Sequence, residues 1–409
     1  MTIDKLYTTI EKSRSTLVEL EILLTKHPAL SPESGGQGEK DKVDALEGWL
    51  RSHGITDIRR YNAPDPRVTS GFRPSLVVTI PGESDSKRLW LMSHTDVVPP
   101  GDLSKWNSDP WTVVEKDGRL IGRGVEDNQQ GLTSSVLAAL ALVSLGIRPP
   151  HTVQLLFVAD EEMGSEYGIQ WLLAHEDIFR ADDMVVIPDG GDEKGETIEV
   201  AEKNLLWLKI ITKGKQCHGS RPDQGANAHV GGAELAVRLN DELPLHFPRR
   251  DSLFEPDYST FQPTKTENNV PNVNTIPGDD VFYMDMRILP CYPLKEVIPV
   301  IEKIMGEVAA KRGVTMKYEI LQRVESKATA VDAPLVRLLS QAVRQVYNVT
   351  TRPIGIGGGT VGSFLRNRGI DAVVWGRLFE SAHQPNEFAV IDNIIGDAKV
   401  MVTLMMERR

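Results

Sequence analysis

The chain has 409 residues, 40% of them hydrophobic and 25% charged, an ordinary globular composition long enough for two cores of roughly 100 to 200 residues each. A formal net charge of −11 with no basic block excludes a nucleic-acid partner and an acidic membrane surface, both of which need clustered Lys and Arg. Two cysteines, Cys217 and Cys291, exclude a disulfide framework and a thiolate zinc site, and fit a reducing compartment.

The opening stretch "MTIDKLYTTIEKSRSTLVELEILL" spaces Leu6, Ile10, Leu17, Leu20 and Leu24 as one amphipathic helix. Acidic residues interrupt it, and it lacks the basic start and continuous apolar core of a signal peptide. The strands "SLVVTI" and "RLWLMSHTD", the helix "GLTSSVLAALALVSLG", the strand "TVQLLFVADEE", the helix "YGIQWLLAHE" and the strand "DMVVIPDGG" then follow in turn. Such alternation predicts an α/β fold with a mostly parallel twisted sheet flanked by helices. Its most apolar helix is shorter than the ~20 residues a membrane span needs, so a soluble, cytoplasmic protein is expected.

The middle of the chain differs. "LLWLKIITKGK", "NVNTIPGDDVFYMDMRIL" and "VTMKYEILQ" alternate more strictly, with helical candidates at 229–242 and 294–312 between them. The Pro-rich "PLHFPRRDSLFEPDYSTFQP" reads as a long surface loop. The expected organisation is a first domain in two segments, 1–203 and 321–409, interrupted by an α+β insertion over 204–320.

Polar residues fall at the ends of apolar strands. His94 and Asp96 follow "RLWLM", Asp160, Glu161 and Glu162 follow "VQLLFVA", Asp189 follows "MVVI", and His383 comes soon after "DAVVW". Asp127 lies in "GRGVEDNQQG", just before a long helix. In an open parallel sheet the carboxyl ends of the strands share one rim, where ligands bind. Each element alone has a plain reading: His-x-Asp as a surface pair, Glu-Glu as a solvated loop start, Asp127 as a helix cap. Those readings do not explain why five elements end together. Imidazole and carboxylate without thiolate suit zinc, manganese or cobalt, and two ions about 3.5 to 4 Å apart would accommodate the whole set.

With these residues in view, the chain resembles the M20 family of metallopeptidases and deacylases, which includes glutamate carboxypeptidase, aminoacylase, succinyl-diaminopimelate desuccinylase and several dipeptidases. The stretches that carry the resemblance, in family order over nearly the whole chain, are "SHTDVVPPGD", "GRGVEDNQQG", "FVADEEMGS", "IPDGG", "CHGSRPDQGANAH", "NTIPGDD", "DMRILP", "GGGT" and "SAHQPNE". The resemblance implies two divalent ions, zinc before cobalt or manganese. His94 and Asp189 would hold one, Glu162 and His383 the other, and Asp127 would bridge them. Glu161 would be the general base and Asp96 would orient His94. A cis peptide would follow Asp127.

The same resemblance makes the insertion a lid that dimerises, with His218 reaching into the partner's site to stabilise an oxyanion. Arg287 and Asn274, with the backbone of Gly358, Gly359 and Thr360, would hold a substrate carboxylate. Taken alone, Arg287 reads as an outward-facing strand arginine in a salt bridge and His218 as a turn residue. After Asp127 many relatives have lysine or methionine, where this chain has "DNQQG".

The implied function is a two-metal amidohydrolase acting on a small peptide or N-acyl amino acid. Asp189, where N-acyl deacylases tend to have Glu, favours a dipeptidase or carboxypeptidase over a deacylase of the desuccinylase or acetylornithine type. A catalytically dead binding protein on the same fold predicts a lost ligand, and none is lost. A phosphatase or nuclease would need a basic groove that the chain lacks.

Overall fold

The computed structural model describes residues 2–408. In chain order its strands are β1 (Ile58–Pro64), β2 (Phe72–Ile80), β3 (Ser84–His94), β4 (Val114–Lys116), β5 (Arg119–Ile121), β6 (His151–Val158), β7 (Met184–Ile187), β8 (Thr197–Glu202), β9 (Asn204–Lys213), β10 (Cys217–His218), β11 (Thr260–Thr266), β12 (Thr275–Ile276), β13 (Asp279–Ile288), β14 (Thr315–Val324), β15 (Arg352–Ile356), β16 (Asp371–Val374) and β17 (Phe388–Val390). Its helices are α1 (Thr2–Glu11), α2 (Arg14–Thr25), α3 (Lys40–Ser52), α4 (Gly131–Leu145), α5 (Ile169–His175), α6 (Ala228–His246), α7 (Leu294–Arg312), α8 (Pro334–Tyr347), α9 (Gly362–Asn367) and α10 (Ile391–Met405).

The chain divides into two units: the first holds everything up to Val200, Thr329–Pro353 and the chain from Phe364 on; the second holds Ala201–Ala328 and Ile354–Ser363. The second unit thus takes back a short piece of the closing segment. That piece contains "GGGT".

The first unit is built on a mixed sheet in the order β1-β2-β6-β3-β7-β16-β8-β15. Its centre, β6-β3-β7-β16, is parallel, while β1-β2-β6 and β16-β8 are antiparallel. Strands β6, β7 and β16, and β3 from Leu89 on, are mostly apolar and buried, as strands covered on both faces are. Being parallel, they put Val158, His94, Ile187 and Val374 at one rim. Helix α4 lies against β3, β6 and α10. Its first residue, Gly131, permits a close approach, since a Cβ there would come 2.1 Å from the carbonyl oxygen of Pro188.

The amino-terminal pattern does not form the single helix expected. The chain breaks between α1 and α2, where Ser13 turns its hydroxyl onto the carbonyl of Thr9 at 2.8 Å and its N–H onto Ile10 at 3.0 Å. Leu6, Ile10, Leu17, Leu20 and Leu24 are nevertheless all fully buried.

The second unit has an antiparallel sheet in the order β11-β13-β9-β14, with α6 and α7 packed together. In β13, buried Phe282, Met284, Met286 and Ile288 alternate with half-buried Val281, Tyr283, Asp285 and Arg287. The expected long surface loop is interrupted: its first residues complete α6, and its end begins the edge strand β11, whose register shifts at Pro263. A two-stranded ribbon, β10 with β12, pairs His218 with Thr275.

Candidate metal centre

The site grows from the shared rim of the first unit. β3 ends in His94, which is 3% exposed. Its Nδ1 lies 3.0 Å from the carbonyl oxygen of Asp96 and 3.4 Å from that residue's carboxylate. Held in this way, the ring turns Nε2 toward Asp127 at 2.8 Å and Asp189 at 3.6 Å. The carboxylate of Asp96 also accepts the backbone N–H groups of Glu161 and Glu162, each at 3.0 Å. One buried acid therefore fixes both the imidazole and the acidic pair that follows β6.

That pair follows Asp160, whose φ of 64° turns the chain out of the strand. Glu161 offers a carboxylate oxygen within 4.8 Å of donor atoms on His94 and Asp189, and Glu162 does the same with His94 and Asp127. The Asp127–Asn128 peptide is cis. Asp127 presents its two carboxylate oxygens to two different histidines, Oδ1 to His94 and Oδ2 to Nε2 of His383 at 3.1 Å. His383 also lies 3.1 Å from Glu162. Asp189, just past β7, accepts a hydrogen bond from the side-chain amide of Asn128, which gives its other proton to the carbonyl of Pro188 at 2.8 Å.

The electrostatics follow from this crowding. Burial pushes Glu161 well above the usual carboxylate range; His94 opposes that rise, and Asp189 and Glu162 add to it. Burial raises Glu162 and Asp189 too. Asp127 goes the other way: burial resists its charge, but hydrogen bonds from His383 and His94 hold it well below the normal range. Burial likewise disfavours a charged His94, yet Asp189, Asp127 and Asp96 outweigh it and lift the imidazole well above its ordinary value. His383 is raised to about 10 by its bonds to Asp127 and Glu162.

Two imidazoles do not balance so many acids, and Oε1 of Glu162 is buried without a hydrogen-bond partner among the described residues. Nitrogen and oxygen donors that converge with an unpartnered carboxylate oxygen fit divalent cations, with His94, Glu161 and Asp189 as one possible ligand group and His94, Asp127 and Glu162 as the other.

Sequence reasoning missed the layer behind these groups. Lys42 is buried, and its pKa falls to about 8 because burial outweighs the pull of Asp96, Glu39, Glu21 and Glu387. Arg73, fully buried, bonds Glu39 and lies 3.4 Å from Asp160. Glu126 and Glu387, also buried, bind backbone on the loops that carry Asp127 and His383. Charged side chains in such places give no pattern in the sequence, although Glu126 adjoins Asp127 and Glu387 closes "SAHQPNE".

The remaining predicted residues lie in the second unit. His218 and Asn274 are exposed neighbours on the ribbon: Gly219 donates its N–H to the carbonyl of Asn274 at 2.7 Å, and Nδ1 of His218 sits 2.8 Å from the hydroxyl of Ser220. Arg287 is engaged by both oxygens of Asp285, at 2.6 and 3.0 Å, and donates to the carbonyl of Gly357 at 2.7 Å. Gly358 and Gly359 follow directly, and Thr360 donates its hydroxyl to Glu202 at 2.5 Å.

Residues 90–407 match the sequence pattern of peptidase family M20/M25/M40. An uncharacterized metallohydrolase of Methanocaldococcus jannaschii is 38% identical over 405 residues, covering 95% of this chain and 98% of the relative. A succinyl-diaminopimelate desuccinylase of Wolinella succinogenes is 28% identical over 380 residues, covering 91% and 94%. Among solved structures, a dipeptidase of Saccharomyces cerevisiae shares the fold with a TM-score of 0.75 at 16% identity, covering 99% of this chain and 98% of that one.

Proposed function

The chain belongs to peptidase family M20/M25/M40 and is a metal-dependent hydrolase, and from that premise we propose a two-metal amidohydrolase that cleaves a dipeptide or a C-terminal amino acid. The observation that carries this reading is Asp127, whose two oxygens face His94 and His383 at 2.8 and 3.1 Å. A carboxylate so placed is suited to be shared between two cations. In this reading His94 and Asp189 complete one position, and Glu162 and His383 the other. The donor set favours zinc, with cobalt or manganese able to substitute.

Bound ions would supply Lewis acidity, polarising the amide carbonyl and lowering the pKa of water towards ~7. Glu161 takes the proton from the attacking water and returns it to the leaving amine. Its carboxylate lies within 4.8 Å of donor atoms on His94 and Asp189, which supports that role by placing it beside the ion positions. Asp96 keeps the His94 ring in register and, through the N–H of Glu161, the base as well. By family likeness, Arg287 and Asn274, with the backbone of Gly358, Gly359 and Thr360, receive the substrate carboxylate, and His218 of a second copy stabilises the oxyanion in a homodimer formed by the second unit. We place the protein in the cytoplasm; the free thiols of Cys217 and Cys291 support this, and among the described residues no helix is long and apolar enough to cross a membrane.

A second reading, an N-acyl-amino-acid deacylase, is favoured by the desuccinylase relatives. Both use the same centre. The test is hydrolysis of free dipeptides against N-acetyl and N-succinyl amino acids by metal-free protein re-supplied with zinc, cobalt or manganese. Preference for dipeptides supports the first reading and preference for acylated substrates the second. No hydrolysis of any of them by the metal-loaded protein overturns both.

A further inference from the structure

Two buried carboxylates exchange partners across the loops that present Asp127 and His383. Glu126, 3% exposed and next to Asp127, accepts the backbone N–H of Phe379 at 2.6 Å, the N–H of Ser381 and the hydroxyl of Ser381 at 2.6 Å. Glu387, fully buried and four residues past His383, accepts the guanidinium of Arg123 at 2.6 Å and the backbone N–H groups of Gly124, Glu126 and Asp127, each at 3.0 Å. Each loop thus carries the acid that fastens the other. Ser381 closes the His383 loop further, its hydroxyl oxygen accepting the N–H of Phe388 at 3.0 Å while its one proton goes to Glu126.

Buried acids are costly unless their oxygens are filled, and here they are filled mostly by backbone donors. Side chains that merely packed would leave the loop backbone free to shift. These bonds instead fix where each loop's backbone lies relative to the other's.

We propose that Glu126 and Glu387 are a reciprocal pair of positioning residues that sets the spacing between Asp127 and His383, and with it the affinity of the Glu162–His383 ion position. The proposal rests on the two-ion reading above. The two acids are not equivalent. Glu126 holds only the loop of His383, whereas Glu387 holds the backbone N–H of Asp127 itself, which is shared by both positions. Loss of Glu126 therefore weakens one ion, and loss of Glu387 weakens both.

The experiment is titration of metal-free wild type, Glu126→Ala and Glu387→Ala with cobalt(II), following visible absorption and heat, with circular dichroism of the metal-free proteins as the check on folding. Wild type should take up two ions. Glu126→Ala should bind one with wild-type affinity and the other roughly 10- to 100-fold more weakly; Glu387→Ala should weaken both. Ser381→Ala, the milder variant should Glu126→Ala not fold, should shift the same single ion in the same direction. Equal weakening of both ions by the Glu126 and Ser381 variants, or none, overturns the latch while leaving the two-ion reading intact. Uptake of fewer than two ions by wild type overturns that reading and the latch with it.

Discussion

Asn128 holds Asp189 by its side-chain amide, spending its second proton on the carbonyl of Pro188. The residue after Asp127 thus supports Asp189, just past β7, which the proposed centre uses as a ligand. Asn128→Ala leaves a buried carbonyl unpaired, which costs about 1–3 kcal/mol, and frees the carboxylate of Asp189. The ion position of His94 and Asp189 should then weaken roughly 10- to 100-fold while that of His383 keeps its affinity. Cobalt titration of the metal-free variant reads this directly. Unchanged affinity would mean that the turn bond from the N–H of Asp189 to Ile187 already fixes the ligand.

Glu161 and Asp96 separate chemistry from assembly. Glu161→Gln keeps the shape and the backbone bond to Asp96 but cannot take a proton, so turnover should fall by at least ~100-fold with two ions still bound. Asp96→Ala removes the carboxylate that lies 3.4 Å from His94 and accepts the N–H groups of Glu161 and Glu162, leaving the ring only the backbone carbonyl at 3.0 Å, so ion affinity should fall together with turnover. Metal analysis beside steady-state kinetics distinguishes the two. Turnover of Glu161→Gln within tenfold of wild type would remove Glu161 from the role of base.

What could be read in the sequence was what periodicity carries. Apolar runs ending in His94, in Glu161 and Glu162, and in Asp189 showed the parallel centre and its rim, because strands covered on both faces are mostly apolar until they emerge. What stayed hidden depends on specific partners. The break between α1 and α2 leaves the hydrophobic spacing untouched, with Ile10 and Leu17 both fully buried on either side of it, so periodicity could not show it. Strand β11 sits at a sheet edge and carries polar residues and Pro263, so it looked like loop. Glu387 and Glu126 are 261 positions apart, and nothing local says that a glutamate there meets buried backbone.

Glu21, itself outside the proposed ligand set, gives a pH dependence of stability. It is buried on α2, one oxygen accepts from the hydroxyl of Thr133 at 2.7 Å, and the other has no hydrogen-bond partner among the described residues. Burial pushes its carboxyl up to about 8, against the bond from Thr133 and the charge of Lys42. Above the unfolded value of ~4.3 the unfolded chain gives up this proton, while the folded protein keeps it until about pH 8. Stability is therefore lost as pH rises through that window, by about 1.4 kcal/mol per unit from this group. Glu21→Gln removes the proton exchange. Urea unfolding of the metal-free proteins at pH 5 and 7 should show the variant gaining on wild type by about 2–3 kcal/mol. A constant difference between them would show that Glu21 is ionised in the folded protein.

The exposed His218 makes a test of whether the site is completed by a second copy. Among the described residues its ring bonds its own turn, at Ser220, and its exposure leaves the imidazole able to reach another chain. His218→Ala should keep both ions and lose roughly 100- to 1,000-fold in turnover, the usual cost of one oxyanion donor. Glu161→Gln is inactive for a different reason. Mixed under conditions that exchange subunits, the two variants form hybrids in which one site has both an intact Glu161 and an intact His218 from its partner. Activity should then rise to a sizeable fraction of wild type, and it should not rise without exchange. If each variant stays inactive in hybrids verified by mass, His218 acts on its own chain or not at all.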